Sequence, residues 1–294
     1  MAVMMLVNEA AVKVKSQELN IPFSHLLPAA VLEHILWMLQ QSDWRERLWL
    51  RGSSNLGLEA YSRKPVFDLS FYYHAPEQPL TPETLEKFFT ELLSKREDGQ
   101  PEFTYVNYPS ETGSYDIEVT AVMGMMEVPV KLHVQELTQD ELQPVESDLR
   151  LFLQNNQVIQ FLLYPSEQIV VENFITILEK MELINDLSPY LEIYTILGRE
   201  TIEGRRLQQM IADEGRQRAL HFREDRLDMI LNYRNYTYMK KKWRAYLKRE
   251  RRNTPSWEEV IDRFGTFFPP LWEAVIRDRV YIGDWMPELQ RFLE

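Results

Sequence analysis

The sequence predicts an α/β protein in two parts, a mixed sheet with flanking helices followed by a helical C-terminal domain. Three observations carry this. Up to Tyr164-Pro165, short runs rich in β-branched and aromatic residues alternate with helical patterns. After that point only helical periodicities recur, and no low-complexity linker separates the halves. The chain has 294 residues, 45% hydrophobic and 12% aromatic, enough to bury substantial cores. The expected domains are therefore 1–165 and 166–294.

The elements follow in order. Residues 1–25 show no clear period and read as a short arm. Pro28 is expected to open a helix, since Val31, Leu32, Ile35, Leu36 and Leu39 recur at helical spacing. Leu48-Trp49-Leu50-Arg51 reads as a short strand that runs into the small-residue turn Gly52-Ser53-Ser54-Asn55. A helix follows through Tyr61, then a strand from Val66 to Tyr73 bounded by prolines. Thr81-Pro82-Glu83 starts a helix reaching about residue 96. Strands are expected at 103–108, 115–123 and 128–135. The acid-rich stretch Gln139–Asp148 reads as a solvated loop or helix face. Helices are then expected at 167–183, 189–197, 203–214, 225–233, 238–250, 256–265 and 269–278, with a short one at 285–293.

Composition narrows the class. No apolar run reaches membrane-spanning length, and Met1–Val12 lacks the basic leader of a secretion signal. Cysteine is absent, so disulfides and thiolate metal sites are excluded. A cytoplasmic protein that does not enter membranes is expected. The net charge of −12 argues against nucleic-acid binding over the whole surface. It hides an asymmetry, because residues 199–252 carry 16 Lys/Arg against 8 Asp/Glu.

Leu48 to Tyr73 is the stretch with chemistry in it. A strand ends in a Gly-Ser turn, and the next strand carries Asp68. In nucleotidyl transfer such a turn lets backbone N–H groups approach a triphosphate. Carboxylates at i and i+2 on the neighbouring strand face the same way and hold magnesium, which neutralises the phosphates. Here position i is Asp68 and position i+2 is Ser70.

The whole stretch resembles the AbiEii/AbiGii toxin nucleotidyltransferases. The resemblance runs through Leu32-Glu33, Gln41 to Arg47, Leu50-Arg51-Gly52-Ser53-Ser54, Arg63 and Phe67-Asp68-Leu69-Ser70-Phe71. It resumes at Tyr164-Pro165-Ser166-Glu167, Val171-Glu172-Asn173-Phe174 and Tyr190-Leu191-Glu192-Ile193-Tyr194. Gly204, Leu207, Ile211 and Arg218 continue it, so that it spans roughly residues 26–220. It implies a nucleotidyltransferase-like sheet, Mg2+ and a nucleoside triphosphate as cofactors, and a bacterial toxin–antitoxin or phage-defence setting. The implied partners are a cognate antitoxin and an RNA target, tRNA-like in kind, or a protein target. Gly52, Ser53 and Ser54 would cradle phosphates, Asp68 would ligate the metal, and Glu192 would assist from the helical half.

The chain departs from that family at the acids. Its second aspartate is Ser70, and its third carboxylate falls on His133. Its phosphate-binding lysine falls on Asn173, and a later aspartate on Glu192, 19 residues further on. Two readings follow. One is an AbiEii-like enzyme transferring nucleotides to RNA or protein. The other is a catalytically degenerate protein of the same fold, a pseudoenzyme acting as a binding or assembly module.

Met239 to Arg252 holds eight Lys/Arg with Trp243 and Tyr246 interleaved. Lys240, Lys241, Lys242, Arg244, Lys248 and Arg249 are its candidate RNA-binding residues, with the aromatics available for base stacking. The other reading places Trp243, Tyr246 and Leu247 in the core at i, i+3 and i+4. His25, His34, His74 and His221 are scattered without metal-ligand spacing.

Overall fold

The computed structural model describes residues 8–52, 56–94, 101–111, 113–137 and 142–293. The chain divides into two compact units, Met1–Tyr164 and Pro165–Glu294.

The first unit opens with α1 (Glu9–Leu19), a helix where the sequence suggested an arm. Asn8 caps it by accepting from the Ala11 N–H, and Asn20 ends it in the left-handed conformation. Its short, mostly polar face, with Val12 alone buried, explains why no period was evident. Next, α2 (Phe23–Gln40) begins five residues before Pro28, which lies inside it. A proline within a helix forfeits a hydrogen bond, but 13 of the 18 residues of α2 are buried, and that packing overrides the local cost.

Five more elements follow: β1 (Leu48–Leu50), α3 (Leu58–Arg63), β2 (Asp68–Tyr73), α4 (Pro82–Ser94) and β3 (Glu102–Glu111). Then come β4 (Ser114–Met123), β5 (Met126–Glu136), β6 (Val145–Leu151) and β7 (Gln157–Leu163). The seven strands lie in the order β3-β4-β5-β2-β1-β7-β6. β1 runs antiparallel to β2 and parallel to β7, β2 runs parallel to β5, and the outer pairs are antiparallel, so the sheet is mixed. Strict alternation in β4 sends Tyr115, Ile117, Val119 and Ala121 into the core and leaves Asp116, Glu118 and Thr120 on the other face. Leu69, Phe71, Leu132 and Val134 join that core with α2 and α4.

The β6–β7 hairpin corrects the reading of 139–148 as a loop or helix face. Of that stretch, residues 138–141 lie outside the described residues, while Val145 to Asp148 are strand. β6 is an edge strand that buries only Leu149 and Leu151, so its acids masked its period. Asn155 and Asn156, both near φ 55°, form the tight turn between β6 and β7.

The second unit holds α5 (Ser166–Lys180), α6 (Ser188–Leu197), β8 (Ile202–Glu203), α7 (Gly204–Gln217) and α8 (Glu224–Asn232). It continues with α9 (Thr237–Arg249), α10 (Trp257–Ile276), β9 (Asp284–Met286) and β10 (Arg291–Leu293). Where the sequence suggested two helices, α10 is continuous, with Pro269 and Pro270 inside it and a capping box of Ser256 and Glu259 at its start. Residues 284–293 form an antiparallel hairpin, β9–β10, where a helix was expected. With β8 it makes a three-stranded sheet, and Trp285 is its fully buried anchor. Gly204 sits so close to the Gly283 carbonyl that a Cβ would fall 2.2 Å from it. The core is strongly aromatic, with Phe174 stacked on Phe268 at 3.8 Å and Trp243, Trp257 and Phe264 packed around Tyr190 and its neighbours. Among the described residues no helix is long and apolar enough to cross a membrane.

Candidate functional site

In the first unit the candidate residues lie on the sheet face opposite the α2 core. The β1 strand exits at Arg51, whose N–H donates to the Ser70 carbonyl at 2.8 Å, and the turn begins at Gly52. Gly52 has φ +70°, a left-handed conformation that only glycine adopts without strain. The turn therefore leaves the sheet at the Asp68 end of β2. Ser53 and Ser54, expected to cradle phosphates with Gly52, lie outside the described residues. Asp68 is exposed, and Ser70, two residues on, faces the same way.

Register places the neighbours. On the parallel strand β5, Lys131 is the partner of Asp68 and His133 the partner of Ser70. Asp68 and His133 are therefore diagonal neighbours, about 7–8 Å apart by sheet geometry. One strand further, Asp116 is the partner of His133 and Glu118 the partner of Lys131. These pairs are joined: His133 Nδ1 lies 2.5 Å from Asp116 Oδ1, and Lys131 Nζ lies 2.9 Å from Glu118 Oε1. The hydrogen bond to Glu118 raises the Lys131 pKa above its ordinary value. The row across the sheet thus reads Ser70, His133, Asp116, with Asp68, Lys131, Glu118 beside it. Sequence reasoning missed Asp116 and Glu118, although Asp116-Ile117-Glu118 is itself an i, i+2 acid pair on a strand, the pattern sought at Asp68.

This donor set does not fit a two-magnesium site. Magnesium requires near-octahedral oxygen ligands at roughly 2.1 Å. Beside Asp68, β5 offers an ammonium and an imidazole, and the acids of β4 lie two strands away, already paired. Among the described residues no three His, Asp or Glu side chains gather closely enough to hold a metal ion.

In the second unit α5 carries Asn173 and α6 carries Glu192. The sequence spacing brings the two together, for Asn173 Nδ2 donates to Glu192 Oε2 at 2.8 Å. Where the resemblance implies a phosphate-binding lysine, a buried amide is engaged with its own neighbour. An amide brings no charge to a triphosphate.

The basic helix α9 separates into two faces. Met239, Trp243, Tyr246 and Leu247 are buried, and Trp243 Nε1 donates to the Pro255 carbonyl at 2.9 Å. Trp243, 1% exposed, is a core residue and is closed to a nucleic-acid base. Of the six candidate cations, three are engaged. Lys240 pairs with Glu258 at 2.6 Å, Lys242 donates to the Ile184 carbonyl, and Arg249 lies 3.5 Å from Asp186. Lys241, Arg244 and Lys248 are exposed.

No family model and no curated protein matches this sequence. Two solved structures from Helicobacter pylori resemble the chain. JHP933 matches with a TM-score of 0.49 and 11% identity over 85% of this chain and 94% of its own. A structure bearing the provisional name nucleotidyltransferase matches with a TM-score of 0.50 and 9% identity, over 87% of this chain and 98% of its own. The second likeness shows a nucleotidyltransferase-like fold. At such identities the likeness concerns the fold alone.

Proposed function

We propose that this chain is a nucleotidyltransferase-fold protein that has given up metal-dependent transfer and acts as an RNA-binding module. The observation that carries the reading is the pairing on β5. Lys131 and His133 stand beside Asp68 and Ser70, where transfer chemistry needs negative ligands, and both are held by acids of β4. A divalent ion at Asp68 would meet a fixed ammonium and one carboxylate, too little ligand charge to hold it. The engaged amide of Asn173 removes a second source of phosphate stabilisation. The basic face of α9 remains for polyanion binding. The resemblance to AbiEii/AbiGii toxins supports a bacterial toxin–antitoxin or phage-defence setting, with an antitoxin as protein partner.

The test is calorimetry of each nucleoside triphosphate with magnesium, with the parent and with Asp68→Ala, beside labelled-nucleotide incorporation into RNA. Weak binding that Asp68→Ala leaves unchanged, with no incorporation, is expected. Tight, Asp68-dependent binding of one nucleotide would overturn the reading. It would favour the second one, an active AbiEii-like transferase, whose supporting observation is His133, paired with Asp116 and a diagonal step from Asp68. In that case Asp68 is the residue on which nucleotide binding depends.

A further inference from the structure

We infer that the outer face of α9, with the two tyrosines at its start, is a reader of single-stranded nucleic acid in which Tyr236 and Tyr238 stack on bases. The inference rests on the RNA-binding arm of the function proposed above and supplies its ligand class and its aromatic residues. Tyr236 and Tyr238 are 48% and 52% exposed, so about half of each side chain is open to solvent. Their rings are set in a ladder. Tyr236 lies 5.9 Å from the Tyr233 ring and 6.1 Å from the Tyr238 ring, and Lys242 Nζ sits 5.4 Å from the Tyr238 centroid. Rings ordered in advance lose little freedom when a base lands on them.

The cations beside them form the complementary half. Lys241, Arg244 and Lys248 fall at i, i+3 and i+7, one stripe about 10 Å long on the solvent side of α9. Tyr238, three residues before Lys241, borders the stripe. Among the described residues none of these three cations has a hydrogen-bond or ion-pair partner. Acids on or beside the helix are engaged with other groups, Glu250 at its C-terminal end with Arg249. Glu258 is with Lys240, Asp262 with Arg234, Asp186 with Arg249, and Glu182 accepts from Tyr233. The stripe therefore presents uncancelled positive charge to phosphates, and the rings present flat faces to bases. A duplex hides its base faces, so the pairing of these two features selects a single strand.

Fluorescence anisotropy on the full chain tests this, using labelled 15-mers of single-stranded RNA, single-stranded DNA of the same sequence, and the RNA duplex. The single strands should bind at least tenfold more tightly than the duplex. RNA favoured over DNA assigns an RNA reader, and equal affinities assign a general single-strand reader. Both support the inference. Tyr236→Ala with Tyr238→Ala should weaken single-strand binding tenfold or more while leaving its salt dependence unchanged. Tyr238→Phe should retain binding, because the ring and not the hydroxyl stacks. Lys241→Gln, Arg244→Gln and Lys248→Gln together should instead flatten the dependence of log affinity on log salt by about two, since three phosphate contacts are lost. Thermal melts should show all variants folded, because every changed side chain is exposed. Duplex binding equal to single-strand binding, or full affinity in the double tyrosine variant, would overturn the inference and leave RNA binding by α9 intact. Binding of no oligonucleotide at all would overturn both, and would make the face a contact for an acidic protein.

Discussion

Glu33 lies in the middle of α2, 1% exposed, and still carries a carboxyl group. Its oxygens accept from the Tyr61 hydroxyl at 2.9 Å, the Leu153 N–H at 2.6 Å and the Phe152 N–H at 3.2 Å, tying α2 to α3 and to the β6–β7 turn. Burial pushes its pKa from 4.5 to about 8, outweighing those hydrogen bonds. His34, the next residue, is stacked between Trp37 and Phe103, and burial lowers its pKa from 6.5 to about 4. The two act oppositely on stability. A raised carboxyl pKa gives stability that is complete below pH 4.5 and lost as pH rises through 8. A lowered histidine pKa gives stability present above pH 6.5 and lost as pH falls through 4. Between pH 4.5 and 6.5 the slopes cancel. From 6.5 to 8 Glu33 acts alone, and unfolding free energy should fall by about 2 kcal/mol. Urea midpoints measured from pH 5 to 9 for the parent and Glu33→Gln check this. The fall above pH 6.5 should vanish in the variant, and parallel profiles would sink the assignment. Trp243 is the other residue with a clear prediction. Trp243→Ala should cost about 3–5 kcal/mol of stability, seen in the same urea unfolding measurements, with the RNA affinity of the folded fraction unchanged.

At the scale of elements, the parts that could be read from the sequence were those whose pattern is imposed by one half-buried face. The alternation of β4 and the Trp243, Tyr246, Leu247 spacing of α9 both appear in the structure as buried stripes. Elements escaped where local chemistry and packing disagree. Pro28 and the Pro269-Pro270 pair read as boundaries, yet α2 and α10 run through them because burial on most sides outweighs lost backbone bonds. The β9–β10 hairpin has strands of three residues, too short to show a period. At the candidate site, Asp68, Ser70 and His133 were singled out by order along the chain, and the register sets them on adjacent strands. Asp116 was not singled out: its i, i+2 spacing with Glu118 was there to see, but its pairing with His133 is a cross-strand relation that no spacing reveals. The same pairing logic divides the lysines of α9. Lys240 holds Glu258 and lowers its pKa, so Lys240→Glu sets two acids together, whereas Lys241→Glu meets no acid. Thermal melts should show Lys240→Glu destabilised by about 0.5–1 kcal/mol and Lys241→Glu unchanged. Equal melting of the two would mean that the Lys240–Glu258 pair contributes nothing.

For the molecule as a whole, the two units have separate hydrophobic cores and very different charge. Residues 1–164 carry 12 Lys/Arg against 23 Asp/Glu, and residues 165–294 carry 21 against 22. The acidic excess of the chain therefore resides almost entirely in the sheet unit, while the basic stretch belongs to a nearly neutral one. A polyanion approaching the full chain meets the field of a net charge of −12, whereas residues 165–294 alone are nearly neutral. That field reaches about 30 Å at 0.01 M salt and about 10 Å at 0.1 M. A fragment of residues 165–294 has its own aromatic core, so it should fold alone and melt cooperatively. It should bind single-stranded RNA several-fold more tightly than the full chain at about 0.02 M salt, and the advantage should disappear near 0.3 M as screening removes the long-range term. Anisotropy titrations of both proteins across that salt range give the ratio directly. A ratio that stays constant with salt would mean that the sheet unit influences binding through contact rather than charge. A ratio below one would mean that it contributes phosphate or base contacts of its own.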